Sequence, residues 1–351
     1  MSSEELEAPG LLLEGPGPLL SFPSRPRRRR FLRGIWGFVL RRLVLGLITL
    51  FVASVVIFAA TEALPSDPAR AILGRSATKE SVEALRKQLG LNKPVVRQYT
   101  DWIGGVVQGD LGNSLAAGEP VTQLLGQRIE NSAFLMLVAA VLSIPLAVFL
   151  GAVSARRRDT PFDHATSFLT LTLASLPEFV VGIALALLFA TTVWHLLPGT
   201  AIIAPGVGPW HYPKELILPV VTLVIAVTPY VARIMRASMI EILESDYVEM
   251  ARLKGLSERL VLWRHAVPNG IAPTFQVIAI NLAYLAGGIV VVESVFNFPG
   301  IGAALVDAVH ARDMPVVQAL SLLIAGLYVV LNLLADVATI LVSPRLRTSL
   351  R

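Results

Sequence analysis

Five polar side chains interrupt the apolar stretches of this chain: Glu178, Asn281, Glu293, Asn332 and Asp336. Holding a charge in lipid costs roughly 3 kcal/mol or more, so such residues are the first places to look for a solute path. Glu178 follows Pro177 and is expected near a broken helix. There it either faces an aqueous cavity or pairs with an arginine on a neighbouring helix. Asp336 lies within a turn or two of the end of its run, where it is expected to reach toward water and pair with Arg345 or a neighbouring chain. Phe296 and Phe298 flank a Pro299-Gly300 turn and read as an apolar plug beside such a path, with headgroup anchoring as the plainer alternative.

Covalent chemistry finds no support in the sequence. No glycine is followed by lysine, so there is no phosphate-cradling loop for ATP. The histidines, His164, His195, His211, His265 and His310, are scattered without an i, i+4 pair. His195 and His211 share an expected outer face, yet solvated loop positions explain them better than a metal. No Gly-x-Ser-x-Gly element occurs and no Ser/His/Asp set stands out. The chain has no cysteine, hence neither a disulfide nor a thiolate site. It is expected to be non-catalytic, with no cofactor and no metal of its own. Its basic runs flank apolar spans, so orientation explains them better than nucleic acid.

Between two apolar runs lies a charged, helix-forming island, Tyr247 to Pro268. Ser245 or Asp246 can cap a first short helix, and Gly255 can supply the left-handed turn that ends it. Ser257 can then cap a second helix running through Leu260 and Trp263. Two helices with a glycine elbow make a compact knob that a soluble partner can grip. On spacing alone, a solvated amphipathic linker is the alternative.

The island resembles the EAA loop of ABC-importer permeases, in the dipeptide/oligopeptide/nickel branch. The likeness rests on Asp246-Tyr247-Val248, Ala251-Arg252, Lys254-Gly255-Leu256-Ser257-Glu258-Arg259 and Arg264-His265-Ala266. Met250 stands where the Glu-Ala-Ala triplet has its first alanine, a change a helix tolerates. Pro268 stands where a basic or polar residue is expected, which leaves the start of the following span open. Further matches follow in order along the insert: Leu64-Pro65, Asp67-Pro68-Ala69, Leu89-Gly90-Leu91, Gln98-Tyr99, Gly109-Asp110-Leu111-Gly112 with Ser114, and Pro120-Val121 with Arg128 and Asn131. A last set comprises Glu293-Ser294-Val295-Phe296, Phe298-Pro299-Gly300-Ile301-Gly302, Asp307, Arg312-Asp313 and Pro315-Val316-Val317-Gln318. The resemblance covers roughly 42 to 347.

The resemblance implies an all-α polytopic membrane protein of six transmembrane helices with the type I ABC-importer permease fold. It implies that Glu249, Ala251, Arg252, Gly255, Leu256, Ser257 and Arg259 meet an ATP-hydrolysing subunit. Partners implied are a second related permease, as a heterodimer, two ABC ATPase subunits and an extracytoplasmic solute-binding protein. Glu178, Asn281, Glu293, Phe296 and Phe298 are the candidates for the translocation path and its outer gate.

Composition agrees with a membrane protein. Hydrophobic residues make up 54% and charged ones 16% of the chain, against roughly half and a quarter in soluble domains. Apolar runs long enough to span lie at about 43–63, 132–153, 166–194, 216–235, 271–292 and 316–342. Pro145, Pro177, Pro219 and Pro229 fall within them and are expected to kink helices inside a bundle. With the N-terminus inside, inner segments carry 20 Lys and Arg and outer ones 10, most of the latter in one long loop. Both termini and the knob are therefore expected on the cytoplasmic side, and the resemblance implies a bacterial inner membrane. The Arg27–Arg33 run superficially resembles a twin-arginine signal but is better read as an anchor of positive charge.

The expected organisation is a cytoplasmic extension, 1–42, a permease domain, 43–347, and a short tail, 348–351. Within the permease domain lie an extracytoplasmic insert, 62–131, and the knob loop, 241–270. The insert reads as a proline-stiffened turn, helices over 76–89 and 95–107, a Gly109–Gly112 turn, and a lead-in to the second span over 120–129. Phe298-Pro299-Gly300-Ile301-Gly302 reads as a re-entrant hairpin followed by a short helix over 303–309. A secondary transporter and an intramembrane protease are the other classes weighed. The first lacks clear internal repeats and the second a paired catalytic set. Dipeptides, oligopeptides, glutathione-like solutes and nickel complexes all remain open as substrates.

Overall fold

The computed structural model describes residues 28–63, 69, 73, 78–88 and 90–342. The N-terminal arginine run before residue 28, the turn over 64–68, Leu89, Arg345 and the C-terminal tail lie outside the described residues. Among those described, the named elements are all helical, with one isolated bridge between Asn113 and Pro120.

Twelve α-helices follow in chain order among the described residues. They are α1 Arg28–Glu62, α2 Lys79–Gln88, α3 Val95–Val107, α4 Val121–Arg156, α5 Pro161–Ala174, α6 Glu178–Ala186, α7 Pro213–Leu243, α8 Asp246–Leu253, α9 Glu258–Leu260, α10 Val267–Val295, α11 Ile301–Ala311 and α12 Met314–Val342. Among the described residues, five helices are long and apolar enough to cross a membrane. A sixth span is made if α5 and α6, with the π-helical turn Leu187–Thr191, count as one.

The break expected at Pro177 within the span over 166–194 is present and sharp, a bend of 102° at Ser175-Leu176-Pro177. Pro177 has no N–H to continue the ladder, and its ring drives Leu176 out of helical geometry. The Tyr230 hydroxyl of α7 donates to the Ala174 carbonyl at 2.9 Å, recovering one acceptor that the break frees. The second span differs from expectation: the lead-in and the span are one 36-residue helix, α4.

Helix α7 occupies the centre and is the most buried of the spans. Leu223, Val227 and Val231 pack with Leu135 and Ala139 of α4 and with Leu285 and Ile289 of α10. At Gly151 of α4, a Cβ would strike the Ala232 carbonyl and Met235 of α7, so the absent side chain permits the approach. Asp163 of α5, almost wholly buried, accepts two bonds from Arg236 of α7, both at 2.6 Å. Helix α1 packs on α12, where Arg42 pairs with Asp336 at 3.0 Å. Asp336 thus meets α1; the expected Arg345 lies outside the described residues.

In the insert, α3 occupies the residues expected for it. Its Tyr99 and Trp102 pack on Phe58 of α1 with ring centroids 5.4 and 5.9 Å apart, and Tyr99 shares a hydroxyl bond with Ser54.

Candidate functional site

The knob is assembled from α8, α9 and the π-helical turn Val261–Ala266 that runs on into α10. Gly255 has φ +76°. Its N–H bonds the Arg252 carbonyl at 2.9 Å, and the Leu256 N–H bonds the Ala251 carbonyl at 3.4 Å. These paired backward bonds close the end of α8 around a left-handed residue that only glycine adopts without cost. Val248, Ala251 and Val261 are buried together beneath the elbow, with Leu256 packed on them. Tyr247, Met250 and Leu253 stand on the opposite face at 45%, 54% and 75% exposure. An apolar ridge of that kind, three residues apart per step, is a surface suited to a partner's groove.

Several details depart from the sequence expectation. Ser245 and Ser257 hold the positions before their helices, but neither side chain caps. The Ser245 hydroxyl instead returns to the Ile242 carbonyl. Arg252 is engaged within the knob, donating to Glu258 at 2.9 Å and to the Leu243 carbonyl at 3.2 Å. Glu249 and Arg259 are exposed. Pro268 follows the π-helical turn within an unbroken run of helical residues, so its missing N–H removes one ladder bond while the chain passes from knob to span without a break. A cleft of about 410 Å³ separates the knob from the ends of α4 and α7, lined by Arg156, Arg158, Glu244, Arg252 and Glu258 among others.

At the far end of α10 the hairpin is built around Glu293, which is fully buried. Its carboxylate accepts from the Ser132 hydroxyl, from the Gly302 N–H at 2.7 Å and from the Ala303 N–H at 3.2 Å. The Ser132 oxygen in turn accepts from the Ile301 N–H at 2.8 Å. Glu293 and Ser132 therefore satisfy the free N–H groups at the start of α11. Asn131 adds a bond to the Pro299 carbonyl at 2.8 Å. The turn passes through Asn297 at φ +48°, a conformation asparagine tolerates. A Cβ at Gly300 would overlap the Glu293 carboxylate, and one at Gly302 the Val290 backbone. Phe296 and Phe298 are 1% and 0% exposed within the main core, and the Phe296 carbonyl accepts from the Ala201 N–H at 2.8 Å. A second buried carboxylate, Asp313, holds the Gly109–Ser114 turn by accepting from the Ser114 hydroxyl and the Leu115 and Ala116 N–H groups.

Glu178 and Asn281 lie apart from the hairpin. Asn281 bonds back to the Val277 carbonyl of its own helix. Glu178 leaves the break at the first position of α6 and faces the Tyr284 hydroxyl and Gly288 of α10. Sequence reasoning did not single out Ser132, Tyr230 or Tyr284. Ser132 looked like one more small residue in a span, and no local pattern ties it to a carboxylate 161 positions away.

Residues 144–348 match the family model "Binding-protein-dependent transport system inner membrane component", and residues 35–148 match the model of its N-terminal region. A probable peptide ABC transporter permease protein of Sinorhizobium fredii is 40% identical over 311 residues, covering 88% of this chain and 99% of that protein. The glutathione transport system permease protein GsiC of Escherichia coli is 37% identical over 311 residues, covering 88% and 98%. A crystal structure of an amino acid ABC transporter with histidines aligns over 62% of this chain and 94% of that one, at 17% identity and a TM-score of 0.47.

Proposed function

This chain belongs to the family of binding-protein-dependent transport system inner membrane components, and on that premise we propose that it is one half of the translocation path of an ATP-driven peptide importer. The observation that carries this reading is the knob: a glycine-closed pair of short helices, rigidly continuous with α10, that exposes Tyr247, Met250 and Leu253. A ridge joined to a span without a hinge can pass a partner's motion into the membrane as a rigid lever.

In this reading the knob end faces the cytoplasm, both termini lie there, and the chain sits in a bacterial inner membrane. Two ABC ATPase subunits grip the knobs of this chain and of a second, related permease. ATP closes the ATPase pair, draws the knobs together and turns the cavity outward. An extracytoplasmic binding protein then releases a peptide, and hydrolysis resets the cycle. This chain makes and breaks no covalent bond. Glu249, Arg252 and Arg259 lie at the ATPase contact, with Arg252 also bracing the knob. Glu293, Phe296 and Phe298 form the outer closure, with Glu293 as its internal anchor. Glutathione-like solutes are the second reading, favoured by the 37% identity to GsiC.

Reconstitution tests the proposal. The chain, its partner permease, the ATPases and the binding protein are placed in liposomes with ATP on the cytoplasmic side. ATP-dependent accumulation of a labelled dipeptide is expected. Accumulation of glutathione but no dipeptide selects the second reading, and uptake driven by an ion gradient without ATP overturns both.

A further inference from the structure

The break between α5 and α6 places non-helical backbone at membrane depth, with Leu176 and Phe179 at 42% and 47% exposure beside it. Irregular backbone is tolerated there only where protein or water covers it. Three helices bring polar groups to this surface. Glu178 comes from the start of α6, Tyr284 from α10 at 59% exposure, and Tyr230 from α7 at 45%. The Glu178 carboxylate faces the Tyr284 hydroxyl and the bare backbone of Gly288. A Cβ on Gly287, the next residue, would meet nothing within 4 Å. Among the described residues, no Lys, Arg or His forms an ion pair with Glu178.

A carboxylate at a break in an apolar helix pair, with no cation from its own chain beside it, is complementary to one from outside. The Tyr284 hydroxyl beside the carboxylate suits a compact cation that can also hydrogen-bond, as a primary ammonium does.

We infer that Glu178, Tyr230 and Tyr284 form a recognition site for a primary ammonium, supplied by the N-terminus of the transported peptide. The inference rests on the peptide-permease reading above. It gives the path a point that grips one end of the solute while leaving the side chains unread, as suits a path serving many peptides. A lysine of the partner permease carries the same ammonium chemistry and is the competing source.

Thiol chemistry tests the site in the intact importer, because the native chain has no cysteine. Gly288→Cys is labelled with a cationic aminoethyl and an anionic sulfonatoethyl methanethiosulfonate. The cationic reagent is expected to gain by about tenfold over its ratio with a free thiol, as local charge focusing provides. Glu178→Gln in the same background is expected to remove that gain. Gly287→Cys, which has open space, repeats the measurement should the tighter Gly288 site perturb folding. Millimolar alanyl-alanine is expected to protect the cysteine, and its N-acetyl form is not.

Absence of labelling by either reagent at both positions means the partner permease seals the face, and overturns the proposal. Equal gains with and without Glu178 also overturn it. Charge preference with no protection by alanyl-alanine assigns the ammonium to the partner permease and removes the peptide from the site. Failure of the parent reading is separate: wild-type liposomes that import no dipeptide under ATP reject peptide transport, even where the charge preference persists.

Discussion

The knob and the hairpin at opposite ends of α10 are made from similar parts, a short helix beside a glycine turn, yet they treat their side chains in opposite ways. In the hairpin the informative residues point inward: Glu293, Phe296 and Phe298 are at most 1% exposed, and Gly300 and Gly302 exist to let backbone pass the carboxylate. In the knob Val248, Ala251 and Val261 are buried beneath the elbow, while Tyr247, Met250 and Leu253 face outward. The hairpin is stabilised from within the chain, whereas the knob keeps an unspent apolar surface for something else. The same helix therefore joins a self-satisfied end to an end that waits for a partner.

The sharpest way to break this comparison is at Glu293. Glu293→Leu strands the Gly302 and Ala303 N–H groups and the Ser132 hydroxyl, and is expected to cost on the order of 3–5 kcal/mol. Glu293→Gln keeps one acceptor and is expected to lose clearly less. Thermal unfolding of the purified complex checks this, and equal losses in the two variants would mean the hairpin does not depend on the carboxylate.

The knob offers a smaller and different effect. Gly255→Val forces a β-branched residue to φ +76°, at a cost of roughly 1–2 kcal/mol. Membrane insertion is expected to stay normal while peptide uptake per ATP hydrolysed falls. Normal coupling in this variant would remove the knob from the transmission path.

Smaller still is the Arg252–Glu258 pair, both partners about half exposed at 2.9 Å. A double-mutant cycle is expected to give about 0.2–1 kcal/mol of coupling energy. A larger value would mean that the pair, and not the glycine elbow, sets the knob's shape.

The insert supplies a control outside both regions. The Lys93 ammonium, bonded to Asp101 at 2.7 Å, holds that carboxyl below the usual carboxylate range. Because the folded-state value is depressed, any stabilisation is present above the ordinary carboxylate pKa and disappears as pH falls through the folded one. The pair is fully exposed to water, so Lys93→Ala is expected to leave the Tm at pH 7 unchanged within error. A measurable drop would show that the insert is tied down more tightly than its surface bonds imply.

Local signals were legible in the sequence, and distant pairings were not. Gly255 and the helix Val95–Val107 could be read because a glycine turn and an amphipathic period are properties of adjacent residues. Pro177 announced the break, although not its 102° bend, since proline removes a bond without saying where the chain goes next. Glu293 was read as a path residue because a carboxylate in an apolar run usually meets water or solute. Its actual neighbours are Ser132 and the N–H groups of α11, brought to it by helix packing. Asp336 found Arg42 in the same way, across nearly the whole chain. Tyr230 and Tyr284 carried no sequence signal because tyrosine in a span ordinarily marks the interface.

The account turns on the knob being the surface that meets the ATPase, and single cysteines test that most directly. Leu253→Cys and Phe298→Cys are placed separately in the cysteine-free chain, and each complex is treated with a short thiol-to-amine cross-linker. The account predicts an adduct between this chain and an ATPase subunit from Leu253→Cys, strengthened when ATP is trapped, and none from Phe298→Cys. An ATPase adduct from Phe298→Cys, or none from Leu253→Cys in a complex that still transports, would contradict it.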